Sequence, residues 1–222
     1  MTHERGEFVD GRLWGRSTVQ LLAVAGLGGP VVFWLVVVVL GALTPGYSAV
    51  SDYISTLGAV GAPYAVVQRV NFVVFGGSVM ALAVGLDHWS RESGRPWVGI
   101  VLVGVFGAGI LGAGIFQDDL LQPDSMTAQI HQFVSSTAFV AALVGMPLAS
   151  RKFEQSERWP AYQSRFTSTV LAVVLFASLV VFRIGLNSWW AGAAQRQFLL
   201  LLTGWVVFHA VRLYRLVGAS QK

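Results

Sequence analysis

Long apolar runs alternate with short polar stretches six times along the chain. A helix crossing about 30 Å of hydrocarbon at about 1.5 Å per residue needs about 20 predominantly apolar residues. Runs of that length fall at roughly 19–43, 64–86, 97–116, 128–148, 166–186 and 198–216. The first is too long for a signal peptide, lacks a small-residue cleavage pattern and is followed by five more spans, so it is expected to stay in the mature protein. The pattern predicts an all-α polytopic membrane protein: a tail over 1–17, one six-helix transmembrane bundle over 18–217, and a tail over 218–222. Gly77, Ala81 and Gly85 in the second span, and Gly104, Ala108 and Gly112 in the third, recur every four residues and present small-residue faces on which helices pack closely. The same faces leave room for a homo-oligomer. Gly29-Pro30 predicts a bend inside the first span, and a short helix is expected from about 51 to 57, capped by Asp52 and ended by Gly58.

Composition agrees with the pattern. Of 222 residues, 55% are hydrophobic and 12% charged, with a mean hydropathy of +0.63, more than a soluble domain needs for its core. Cysteine is absent, which excludes disulfides, thiolate metal sites and a cysteine nucleophile. The net charge of +4 does not point to nucleic acid, because the basic residues cluster in short segments between apolar spans, as in loops that sit against anionic lipid. Arg5, Arg12 and Arg16 precede the first span. Arg91 and Arg95 follow the second, Arg151, Lys152, Arg158 and Arg165 follow the fourth, and Arg212, Arg215 and Lys222 close the chain. The loops 44–63 and 117–127 carry none. This asymmetry places both termini in the cytoplasm of a multi-pass plasma-membrane protein, with the loop PGYSAVSDYISTLGAVGAP on the outer side. Trp89, Trp97 and Trp159 on the inner side, and Tyr47, Tyr53, Trp189 and Trp190 on the outer side, suit interfacial belts.

Three arginines fall where the charge rule predicts none: Arg69, Arg183 and Arg196, each at the outer end of a span. Asp52, Asp118, Asp119 and Asp124 lie on the same side. Gln68 and Asn71 flank Arg69, and Asn187 lies one turn beyond Arg183. Thr127, His131 and Ser135, spaced by four, share one face of the fourth span. Arginine suits phosphate or carboxylate, so Arg69, Arg183 and Arg196, with Asp52, Asn71, Asp119 and Asn187, are candidates for an outward-facing ligand site. The plain structural alternative is that the arginines snorkel to headgroups and Asp52 caps a helix. His131 and Asp118 are candidate acid–base groups, with Ser51 or Ser55 as nucleophile. Zinc is poorly supported: His88 and His209 lie towards the opposite face, leaving too few ligands beside His131, and no cofactor is expected.

The residues Gly29-Pro30, Pro45-Gly46-Tyr47-Ser48, Ser51-Asp52-Tyr53-Ile54-Ser55, Leu57-Gly58 and Ala62-Pro63, followed by Phe116, Asp118 or Asp119, and His131, resemble the prokaryotic integral membrane family catalogued as domain of unknown function 998. The resemblance covers most of the chain and implies the six-helix fold and a significant outer loop; it brings no activity. Ser-Asp-x-x-Ser-x-x-Gly at 51–58, followed by Pro63, is similar to the luminal loop of the six-helix family of GPI-anchor lipid-remodelling and autophagy-modulating proteins, which implies a lipid-related role. Ser51 or Ser55, Asp118 and His131 distantly resemble the alkaline ceramidase and adiponectin-receptor-like hydrolases. Those carry zinc held in part by paired histidines on a late helix, where this chain has Gln195, Arg196 and Gln197. The leading expectation is a membrane protein that binds a lipid or other acidic amphiphile in a cavity open to the outer face, with membrane lipids as partners. The alternative is an outward-facing lipid hydrolase or transferase using the Asp/His pair. A small transporter ranks below both, because the deep halves of the spans hold few ionisable groups.

Overall fold

Each apolar run folds as a helix, because a backbone in hydrocarbon must satisfy its own hydrogen bonds. The computed structural model describes residues 15–90, 97–156, 159 and 167–219. Its helices are α1 (Arg16–Leu43), α2 (Ala65–Ser90), α3 (Val98–Ile115), α4 (Met126–Glu154), α5 (Thr167–Gly185) and α6 (Ala191–Ala219). All six are long and apolar enough to cross a membrane, and no strand occurs among the described residues. The chain is therefore an all-helical, multi-pass integral membrane protein. The basic positions Arg5, Arg12, Arg91, Arg95, Arg158, Arg165 and Lys222, with most of both predicted tails, lie outside the described residues.

Successive helices pack against one another and α1 closes the ring on α6, with α2 also reaching α6. The helix ends carrying 44–64, 116–125 and 186–190 form one end of the bundle, called the loop end below. Polar side chains tie helices together within the bundle. Trp34 donates to Thr203 Oγ1 at 3.1 Å between α1 and α6, and Trp205 donates to Ser150 Oγ at 3.0 Å between α6 and α4. The carboxylate of Glu154, at the end of α4, accepts from the backbone N–H and hydroxyl of Ser168 at 2.7 and 3.0 Å. It thereby satisfies an orphan donor at the start of α5 and places negative charge at a helix N-terminus.

The close helix contacts run through other glycines than the four-residue stripes suggest. A Cβ on Gly76 would stand 2.4 Å from Gly107 O, and one on Gly107 would stand 2.7 Å from Gly76 O, so α2 and α3 meet backbone to backbone there. Gly99, with a Cβ 2.3 Å from Ala149 N, and Gly109, 2.7 Å from Val134 O, do the same between α3 and α4. Gly77 has nothing within 4 Å of its would-be Cβ. The α2 contact is displaced by one residue, because Gly76 and Gly77 are adjacent on the helix and only the first faces α3.

Three further expectations change. Trp89, Trp97 and Trp159 are buried within the protein, not spread over a lipid interface; Trp159 stacks on Phe153 at 4.2 Å and donates to Ser90 Oγ at 3.0 Å. The sixth helix starts at Ala191, not 198, since its small and polar first turns lie outside the apolar run. The expected helix over 51–57 is a shorter 3₁₀ turn, Ser55–Gly58, and Asp52 does not cap it.

Candidate functional site

The loop between α1 and α2 is fastened to the first turns of α6. Arg196 donates from Nη1 to Asp52 O at 2.8 Å and to Gly192 O at 3.0 Å, and from Nη2 to the Tyr47 hydroxyl. Tyr47 in turn donates to Tyr53 O at 3.2 Å. Ala193 N–H, an orphan donor of the first turn of α6, donates to Val50 O at 2.9 Å, and Ile54 N–H donates to Gln195 Oε1 at 2.7 Å. The fit needs glycine at 192, where a Cβ would lie 2.2 Å from Asp52 O. Burial raises the Tyr47 pKa, with the Arg196 guanidinium opposing the shift, so the phenol that joins this network stays protonated through the physiological range.

Asp52 faces back into its own loop. Its carboxylate accepts from Ser48 N–H at 2.7 Å and from the Ser51 hydroxyl at 3.2 Å. Asp119 likewise closes a turn, accepting from Leu121 and Gln122 N–H at 3.1 and 3.0 Å. Arg69 caps the C-terminus of α3, donating to Gly114 O at 3.0 Å and Ile115 O at 2.8 Å, where a cation complements the helix dipole. Asn71 is buried between α1 and α2, donating to Phe33 O at 3.1 Å. Ser51, Asp52, Arg69, Asn71, Asp119 and Arg196 are thus held by the scaffold, and none of them lines the pocket described next.

Beneath the fastened loop lies a pocket of about 500 Å³, within the range of small-molecule sites. Five of the candidate ligand or catalytic residues line it together: Ser55, Asp118, His131, Arg183 and Asn187. Tyr53, Gln132, Ser135, Ser136 and Gln195 add polar atoms, and Phe33, Phe72, Phe75, Phe139 and Phe182 supply an apolar floor. Phe139 lies thirteen residues into α4, so at about 1.5 Å per residue the floor is about 20 Å below the start of that helix.

His131 has two sides. Its Nδ1 lies 3.1 Å from Ala113 O and 2.9 Å from Phe116 O. Both partners are acceptors, so Nδ1 carries the proton, and in the neutral ring Nε2 is the basic nitrogen. One nitrogen pins α4 to the end of α3, and the ring forms part of the pocket wall. Asp118 is placed by its backbone carbonyl, which accepts from Val60 N–H at 2.9 Å; its carboxylate has no hydrogen-bond partner among the described residues. Arg183 is exposed and has neither a hydrogen bond nor an ion pair among the described residues, unlike Arg69 and Arg196. Asn187 sits at φ 60°, a left-handed conformation that asparagine tolerates, just past the end of α5. No three His, Asp or Glu side chains come together to hold a metal ion among the described residues.

Gln132 and Ser136 extend the polar face of α4 by one column beyond His131 and Ser135, a widening visible in the sequence as paired polar residues four apart. Tyr53 and Gln195 carry no such signal, since only the docking of the loop on α6 brings them to the site.

A family model described as "Protein of unknown function (DUF998)" matches residues 27–212, which contain every pocket-lining residue. No curated protein and no solved structure matches the chain.

Proposed function

The chain belongs to the DUF998 family of proteins of unknown function, and on that footing we propose that it binds a lipid or other amphiphile with an acidic headgroup in the pocket at its loop end. The observation that carries this reading is Arg183: a cation lining a cleft, with no protein partner among the described residues, above a floor of aromatic rings. An anionic headgroup would give this guanidinium a charge-assisted, bidentate partner. Asn187, Gln195 and the basic nitrogen of His131 would meet the remaining polar groups of the head, and the phenylalanines would cover the start of the tail. The distribution of lysine and arginine supports a plasma-membrane orientation with both termini cytoplasmic and the pocket facing outward.

A second reading, a lipid hydrolase or transferase, draws on the basic Nε2 of His131 sharing a pocket with Ser55 and Asp118. Transport is less well supported, because the polar lining stays at the loop end and the floor beneath it is aromatic.

The test separates head from tail. Dodecyl phosphate titrated into the protein in a neutral detergent is expected to bind Arg183→Ala about tenfold to a hundredfold more weakly than the parent, the range for losing a hydrogen bond to a charged group. Dodecanol should bind both equally, and the melting temperature should not move. Equal affinity of the two proteins for dodecyl phosphate would remove the basis for the reading.

A further inference from the structure

Resting on that reading, we propose that the ligand is a two-chain anionic lipid that enters sideways from the bilayer between α4 and α5 and binds astride α4, one chain inside the pocket and the other in a groove on the outer face of α3 and α4.

Two loop segments line the top of the pocket. Tyr53, Ile54 and Ser55 line it from the loop fastened by Arg196, and Asp118, Leu120 and Pro123 line it from the α3–α4 connection. Those two segments are joined to each other by the Val60–Asp118 backbone bond of 2.9 Å. On the side towards α4 and α5 the lining is polar and exposed: Gln132 and Ser136 of α4, and Arg183 and Asn187 at the end of α5. Ser136 lies ten residues into α4, about 15 Å from its start, a depth at which an exposed hydroxyl on a membrane helix faces acyl chains rather than water.

Ser136 also lines a second cavity. This is an apolar groove of about 460 Å³ formed by Leu102 and Val105 of α3 and Phe133, Thr137, Val140 and Val144 of α4, among others. Phe133, Val140 and Val144 are well exposed, so the groove faces lipid. The two volumes are nearly equal. Each falls within the size range of small-molecule sites. Two spaces of similar volume that share a wall residue, one of them lined by an arginine with no protein partner among the described residues, fit one headgroup with two tails.

The reading and the inference fail differently under photolabelling. Phosphatidic acid with a diazirine at the end of one chain, attached at either glycerol position, would be incorporated with the protein into phosphatidylcholine nanodiscs and the labelled peptides mapped. Labelling is expected at interior positions around Ile110 and Leu199 and at groove positions around Leu102 and Val105, both falling at least tenfold in Arg183→Ala. Ser136→Trp, which plugs the shared wall on an exposed site, should reduce interior labelling to the same extent. Interior labelling alone, or groove labelling that Arg183→Ala leaves unchanged, as for ordinary boundary lipid, would overturn the straddling lipid and leave the pocket standing. An absence of interior labelling would overturn the pocket itself.

Discussion

Alanine at Gly76 is expected to destabilise the protein by about 3 kcal/mol, the upper part of the range for overpacking, while alanine at the adjacent Gly77 should be neutral or slightly stabilising. The reason is geometric. The new Cβ at 76 would sit 2.4 Å from Gly107 O and 2.5 Å from Leu111 N, and both are backbone atoms that no rotamer change can withdraw. Relief requires α2 and α3 to separate, which loosens the packing of Phe75 against Phe106, whose rings lie 6.2 Å apart. At 77 the Cβ would meet open space, and replacing glycine in a helix interior lowers the conformational entropy lost on folding. Thermal denaturation of the two variants in the same detergent checks this. Similar melting temperatures for both would mean that the helices do not meet at Gly76.

Loss of Arg196 is the second large effect. Its guanidinium holds Asp52 O, Gly192 O and the Tyr47 hydroxyl at once, and hydrogen bonds to a charged donor contribute about 1.5–3 kcal/mol each in favourable settings. Because the side chain is only partly buried, Arg196→Ala is expected to cost about 2–3 kcal/mol in total. Lysine should recover less than half, since one ammonium cannot reproduce a planar fork directed at several acceptors. The consequence extends to the pocket. Tyr53, Ile54 and Ser55 are held in place by this fastening, so Arg196→Ala should weaken binding of dodecyl phosphate as well as stability. Arg183→Ala should weaken binding alone. Measuring melting temperature and affinity on both variants separates the two arginines; a variant at 196 with unaltered stability would contradict the role given to it.

The two arginines illustrate what could be read from the chain. Hydrocarbon thickness demands about 20 apolar residues whatever their order, so all six helices were legible, and errors gathered at the ends. The start of α6 was obscured because Ala191–Gln197 is small and polar, yet continues the same helix. Placing Asp118, His131, Arg183 and Asn187 at one end of the bundle followed from alternation of the spans alone, and all four line the pocket. Which arginine lines the pocket was not legible. Arg69 and Arg196 differ from Arg183 in their partners, and those include backbone carbonyls 45 and 144 positions away, which carry no side-chain signature. Asp52 was misread for a related reason: its carboxylate caps backward onto Ser48 N–H, and an Asp before a short helix has the same local appearance whichever way it turns. The glycine contacts escaped because a four-residue period fits several helix faces, and only tertiary packing selects among them.

Native mass spectrometry of the protein, released from a mild neutral detergent after extraction from its own membrane, tests the central assignment most directly. The account predicts one anionic amphiphile retained per protein chain, surviving washes that strip zwitterionic lipid. Bare protein, or a mixture of lipids retained without regard to headgroup charge, would contradict it.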